Sequence, residues 1–285
     1  MSNEGEYLTF DVNIDSKIVV NSIYSDDSVI NIWLSTSGII TEPYNSNPTV
    51  FLVSVYENDE LRYTSQANSG KLNTHIRPNV SSKYKIEVSS NSFSSVSTTD
   101  SVPSIVGITN AEFVFPIAVD EFGDYLGEAQ VTFSDPVECK NYYELLINVG
   151  VNNYFTGFMD YPITDPIILN EGDLDYYPSS IFFSDELING QSYTLKIKVA
   201  VGVVINSEGI KPSSELYAEL RSVSKNYYLY RKYLTRHLYN QQMNNKDFYD
   251  YLYNGEPVDM YSNIINGYGI FAGYQSSMSK LNLKN

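Results

Sequence analysis

From residue 193 to 205 the chain alternates with a period of two. Tyr193, Leu195, Ile197, Val199, Val201, Val203 and Ile205 fall on one side, and Thr194, Lys196, Lys198, Ala200, Gly202 and Val204 on the other. Successive side chains of a strand point to opposite faces, so this pattern requires a sheet with an apolar face and excludes a helix of period 3.6. Similar alternation returns at 17–24, 29–35, 49–56, 83–89, 129–134 and 143–149, with Asn, Asp, Gly, Ser and Pro clustered between. Many short strands punctuated by turn residues predict β-sandwiches. A chain of 285 residues is long enough for two domains with separate cores. The Ser/Thr-rich run 89–99, followed by Asp100-Ser-Val-Pro103, has little to bury and ends in proline, which places the junction there. The expected organisation is a tether over 1–15, a β-sandwich over 16–100 and a second β-sandwich over 101–285.

Gly267-Tyr-Gly269-Ile-Phe-Ala272 satisfies the letter of the dinucleotide fingerprint. That fingerprint needs a helix, a further strand and an acidic residue about 20 positions on, and the sequence stops at Asn285. The expectation is therefore a closing strand over 267–276, with Gly267, Gly269, Phe271 and Gly273 on one face and Tyr268, Ile270, Ala272 and Tyr274 on the other. Glycines along one face let another backbone or an aromatic ring lie close against it. One substantial helix is expected over 224–243, capped by the Ser224 hydroxyl, with Tyr227, Tyr230, Leu234 and Leu238 as its buried stripe. Arg221, Lys225, Arg231, Lys232, Arg236 and Lys246 fall in or beside it with no carboxylate among them. This basic island reads either as a solvated helix face or as a dock for an acidic partner or lipid headgroups.

The whole chain is acidic, with 34 Asp and Glu against 18 Lys and Arg and a formal charge of −16, which repels phosphate backbones and argues against a nucleic-acid partner. The single cysteine, Cys139, excludes an internal disulfide and a Cys-rich zinc site. No apolar run approaches the roughly 18 residues that cross a bilayer. The first residues, Met1 to Glu6, lack the basic and apolar regions of a secretory signal, which leaves a cytoplasmic protein or one whose leader has been removed. Catalytic candidates are few: the histidines are His75 and His237, and neither a Gly-x-Ser-x-Gly elbow nor a His-Glu-x-x-His helix occurs. With so many carboxylates, no glycosidase pair can be picked by sequence. Asp120-Glu-Phe-Gly-Asp124 and Asp173-Leu-Asp175 lack the ligand order of a calcium loop and read as turns. No catalytic residue, metal or cofactor is expected. Tyr154, Phe155 and Phe158, and the pair Tyr176-Tyr177, set aromatic rings beside turn residues. Exposed, these rings would be ligand or partner contacts; turned inward, they would be core.

A series of short segments follows in a particular order: Lys17-Ile-Val-Val20, Val29-Ile-Asn-Ile-Trp-Leu-Ser35, 49–58, Ser82-Lys-Tyr-Lys-Ile-Glu-Val88, Phe133-Ser-Asp-Pro136, Asn141-Tyr-Tyr143, Ser222-Val-Ser-Lys-Asn-Tyr-Tyr228, and the block from Tyr261 to Gly273. In this order, from about Lys17 to Tyr274, the chain resembles a family of Bacteroidota outer-membrane lipoproteins catalogued only as a domain of unknown function. The resemblance implies a transthyretin-like or immunoglobulin-like first domain and no established catalytic residues. It also implies a role beside TonB-dependent, starch-utilisation-type receptors. A lipid-bearing cysteine normally opens the mature chain of such proteins; none stands near Met1, so the anchor is inferred to leave with a signal segment. Glu4 and Glu6 would suit an acidic export tag.

These readings converge on a non-enzymatic, cell-surface lipoprotein of the outer membrane that assists a TonB-dependent transporter in nutrient capture. Two rivals stand beside it. Tandem sandwiches with exposed tyrosines would also suit an adhesin or matrix-binding module, and paired carboxylates in a deep cleft would make a glycoside hydrolase.

Overall fold

The computed structural model describes residues 16–38, 49–150, 164–172, 180–207, 209–242 and 259–284. The molecule is mainly β with one substantial helix. A seven-stranded sheet forms its spine. In spatial order it contains β11 (Ile181–Ser184), β10 (Tyr142–Val149), β15 (Leu216–Val223), β16 (Tyr268–Lys280), β1 (Ile18–Tyr24), β2 (Asn31–Thr36) and β5 (Gly70–Asn73). One end of this spine is faced by a sheet of β4 (Glu60–Asn68), β3 (Val50–Glu57), β6 (Lys83–Ser89) and β7 (Val96–Ser101). The other end is faced by β12 (Ser192–Val201), β9 (Tyr125–Ser134), β8 (Ile108–Val119) and β17 (Asn282–Lys284). A small antiparallel pair, β13 (Val203–Asn206) and β14 (Gly209–Pro212), completes the strands. The short helix α1 spans Pro166–Asn170, and the long helix α2 spans Lys225–Gln242.

Two cores follow from this layout. Ile18, Val20, Tyr24 and Phe271 pack against Phe51, Val53, Tyr84 and Ile86 in the first. Tyr143, Leu145, Phe183 and Leu220 pack against Phe133, Val131, Leu195 and Ile197 in the second. The alternation from residue 193 delivers its core face as far as Val199, with Leu195, Ile197 and Val199 fully buried, but the strand breaks at Gly202: β12 ends at Val201, and β13 belongs to a separate pair in which Ile205 is exposed. Both cores lie on the same face of the spine, because Leu220 is opposite Ser277 in the register and Phe271 lies three pairs further along the same strand on that face.

The strand expected to close the second sandwich does more than that. β16 pairs antiparallel with β15 and parallel with β1, so it stands at the centre of the spine and serves both cores. Its glycines make this possible. A Cβ on Gly269 would lie 2.0 Å from the carbonyl oxygen of Val20, and one on Gly273 would lie 2.5 Å from that of Ser101. Gly269 also has φ of 111°, a conformation that L side chains rarely adopt. Phe271, on the glycine face, enters the first core against Tyr24, while Ile270 and Ala272 point the other way, under α2.

Candidate functional site

The second face of the spine carries polar chemistry over one half and an open aromatic surface over the other. α2 covers the half made by β11, β10, β15 and β16. It starts where the sequence placed it: the Ser224 hydroxyl accepts from the amide of Tyr227 at 3.2 Å, satisfying one of the free donors of the first turn. The same hydroxyl donates to Asp100 on β7 at 2.5 Å, and Asp100 also accepts from the amide of Gly273 at 3.4 Å. Burial pushes the Asp100 carboxyl up to about 6, against the hydrogen bonds from Ser224 and the backbone that favour its ionised form. Tyr227 and Tyr228 are buried, but Leu238 is 46% exposed. Of the expected stripe, Tyr227 is buried and Tyr230 packs partly buried against the same apolar cluster, while Leu238 near the end is exposed.

Under the first two turns of α2 lies a set of charges that match one another. Glu144 on β10 has no exposed surface. It accepts from Arg221 at 3.1 Å, from Arg231 at 3.0 Å and from the Tyr227 hydroxyl at 2.5 Å. Glu219 accepts from Arg221 Nε at 2.6 Å and from Ser276 at 2.8 Å. Glu171, at the end of α1, takes Lys232 at 2.9 Å, the Ser184 amide at 2.6 Å and the Tyr228 hydroxyl. Burial works against the Glu171 charge, yet its hydrogen bonds from Tyr228 and Lys232 hold the carboxyl below its ordinary range. Burial and the neighbouring Glu144 carboxylate keep the Tyr227 phenol protonated, pushed well above its usual value. Aromatic faces complete the cation environment: Arg221 lies over Tyr274, Arg231 over Phe182 and Lys232 over Tyr228. An ion taken out of water needs its charge and hydrogen-bonding groups matched, and Glu144 meets that requirement three times over. Of the basic island, Arg221, Arg231 and Lys232 are therefore neither a solvated face nor a dock, since they are turned inward onto carboxylates from other elements.

The remaining half of the same face, on β1, β2 and β5 with the start of β16, has no helix over it among the described residues. The register places Asn21, Trp33 and Lys71 in one row across β1, β2 and β5, and sets Val19 beside Tyr268. Trp33, the only tryptophan in the sequence, is 47% exposed, and Tyr268 is 41% exposed. Lys71 Nζ stands 5.2 Å from the centre of the Trp33 ring, and Lys17 Nζ stands 5.0 Å from that of Tyr268.

Two open grooves lie elsewhere. One, of about 450 Å³, is lined by Phe113, Lys211, Glu215, Lys280 and Leu283 among others. The second, of about 400 Å³, runs along Leu52, Ser54, Glu87, Ser89 and Ser97. Each offers one carboxylate, and each carboxylate is paired to a lysine: Glu215 with Lys280, and Glu87 with Lys85 at 2.6 Å. A glycosidase pair needs two carboxyl groups across one cleft.

The expected aromatic contacts Tyr154, Phe155, Phe158, Tyr176 and Tyr177 all lie outside the described residues, as does Asp173-Leu-Asp175. Asp120 behaves as a turn residue, accepting from the amides of Phe122 and Asp124 at 2.9 and 2.8 Å. Cys139 is an exposed free thiol. Sequence reasoning missed Glu144, Glu171, Glu219 and Trp33. A signal existed for the first: Glu144 interrupts the apolar run of a central strand, and a carboxylate there must find cations, which the carboxylate-free stretch 221–246 supplies.

The model of the family described as Domain of unknown function (DUF4249) aligns with residues 6–280. No curated protein matches the chain.

Proposed function

The chain belongs to the Domain of unknown function (DUF4249) family, and from that premise we propose that it is a non-enzymatic lipoprotein on the surface of a Bacteroidota outer membrane. There it acts as a binding partner of a TonB-dependent transporter in nutrient capture, held to the membrane by a lipid anchor in the native protein.

One observation carries the reading: the buried charges below α2 are matched to one another, Glu144 accepting from Arg221, Arg231 and Tyr227. A reactive carboxylate needs an open coordination to substrate or proton, whereas a carboxylate surrounded by its own cations fixes a helix on a sheet. What that rigid body offers to other molecules is surface, and surface chemistry of this kind serves binding. The order of segments from Lys17 to Tyr274, which resembles the lipoprotein family, supports the cellular setting.

The test is purification of the full-length native precursor from outer membranes of its host after labelling with an alkyne-bearing fatty acid. Label in the protein and a TonB-dependent transporter in stoichiometric yield are the expected result. A protein that comes out alone and unlabelled sinks the proposal, and stable attachment to host glycan or matrix protein with no transporter present favours the adhesin reading instead.

A further inference from the structure

The half of the spine that carries no helix among the described residues presents exposed aromatic rings beside lysines. Lys17 just before β1, Val19, Asn21 and Ile23 on β1, Trp33 and Ser35 on β2, Lys71 on β5 and Tyr268 on β16 all point to the side on which α2 lies further along. The backbone under them is fixed, since the opposite face of these strands is the first core, with Ile18, Val20, Ile32 and Leu34 buried. Trp33 and Tyr268 stand two strands apart, roughly 10 Å across the sheet, with Val19 beside Tyr268 and Asn21 beside Trp33 on the strand between. Half-exposed aromatic rings on a rigid support are the residues that anchor protein interfaces, because they bring large contact area with few rotamers to freeze.

The charge of this surface stands out against the rest of the chain. The whole protein carries −16, yet these positions hold two lysines and no carboxylate. Each lysine lies over one of the two exposed rings, so each cation sits beside an anchor. Asp26 and Asp27 lie past the end of β1 in the turn to β2. A partner that covers Trp33 and Tyr268 must bring apolar groups for the rings and for Val19 and Ile23. It must also bring carboxylates for Lys17 and Lys71. Two lysines with no carboxylate among these positions suit an acidic polypeptide, which can bring carboxylates and apolar side chains together.

We infer that this half-sheet, centred on Trp33 and Tyr268, docks an acidic, apolar polypeptide surface of the transporter. The inference rests on the proposed function for the identity of the partner and on the geometry above for the place.

The experiment uses the full-length lipidated protein, purified from outer membranes as wild type and as Trp33→Ala, Lys71→Glu and Leu52→Ala. Leu52 is an exposed residue on the outer face of the other sheet and serves as control. Thermal melts establish that each variant is folded. Loss of a central tryptophan anchor weakens an interface by about thirtyfold or more, so transporter recovered with Trp33→Ala should fall by at least that factor. Lys71→Glu should lower recovery as well, more steeply at low salt, and Leu52→Ala should behave as wild type. Transporter retained at wild-type yield by folded Trp33→Ala and Lys71→Glu overturns this inference and leaves the proposed function standing. A wild-type protein that recovers no transporter overturns both.

Discussion

One face of the central sheet is finished in two ways. Over β10, β15 and β16 it carries Glu144, Glu219 and Arg221 and is closed by the first two turns of α2, whose Tyr227 and Arg231 complete the charge balance. Over β1, β2 and β5 it carries Trp33, Ile23, Asn21 and Val19, with lysines above the rings of Trp33 and Tyr268, and among the described residues no helix lies on it. The covered half combines matched charges with a buried apolar cluster of Phe182, Val223, Ile270 and Ala272, whereas the open half leaves Trp33 and Tyr268 partly in water beside lysines. A covered charge is tolerable only when its partners are supplied by fixed geometry, and it then holds the helix in one position. An uncovered tryptophan leaves apolar area in water that a partner can later remove. The two halves thus differ in kind: one holds its helix by buried ion pairs, the other leaves aromatic area exposed.

The comparison breaks most sharply if the covered half turns out not to depend on its charges. Glu144→Ala would leave Arg221, Arg231 and the Tyr227 hydroxyl facing a void in a buried site, and removal of one partner of such a set costs about 3–5 kcal/mol. Urea unfolding should show that loss, with the near-ultraviolet signal of the tyrosines around α2 changing in parallel. A loss below about 1 kcal/mol would mean that the network is decorative and that the two halves differ less than their composition.

Asp100 links the halves, since it touches both Ser224, which starts α2, and Gly273 on the strand at the border. Its folded carboxyl titrates near 6, against about 3.9 in an unfolded chain. Between those values the folded state keeps a proton that the unfolded state has released. The contribution is fully present below about pH 4 and is lost as pH rises through 6, to a total of about 3 kcal/mol. Glu171 works in the opposite direction: its lowered carboxyl stabilises above its unfolded value and loses that contribution as pH falls. Comparison with Asp100→Asn isolates the first effect. From pH 4 to pH 7 the wild type should lose stability relative to the variant, and a difference that stays level would remove Asp100 from the coupling.

Much of this arrangement was legible in the sequence, and the reason is periodicity. The strand from residue 193, the closing strand and the start of α2 each announce themselves through local spacing or a local cap, so a single segment suffices to read them. The placement of β16 was only half legible. Its glycines indicated a close neighbour, but a parallel partnership with β1, nearly the whole chain away, leaves no mark in either strand. The charge network was not read because its members come from β10, β15, α1 and α2, and one sequence gives no means of pairing a given carboxylate with a given arginine. Trp33 was legible only as a strand residue, since whether a helix covers a face depends on the length and direction of α2.

The cap tests whether the covered half owes its closure to local or to tertiary forces. Ser224→Ala removes the acceptor for the Tyr227 amide and the donor to Asp100, and cap losses of this kind cost about 1 kcal/mol, up to about 2. The expected reading is a modest fall in denaturation midpoint with the helical circular dichroism retained, because Glu144 still grips Arg231. Loss of the helical signal in an otherwise folded protein would show the reverse, that the cap nucleates α2 and the charges merely follow.

The smallest effect belongs to the open half and sharpens the contrast most. Trp33→Ala deletes a half-exposed ring whose described company on the outer face is Lys71, a contact worth about 0.5–1 kcal/mol at an exposed site. The stability of the isolated protein should therefore change by no more than about 1 kcal/mol, several times less than for Glu144→Ala, although the ring is far larger than the carboxylate. The intrinsic fluorescence of the wild type offers a direct check, because Trp33 is its only tryptophan. Emission should be red-shifted and readily quenched by acrylamide in the native state, changing little on unfolding. A blue-shifted, protected Trp33 in the isolated chain would mean that the open half is already covered, and the distinction between a fixed half and a contact half would be lost.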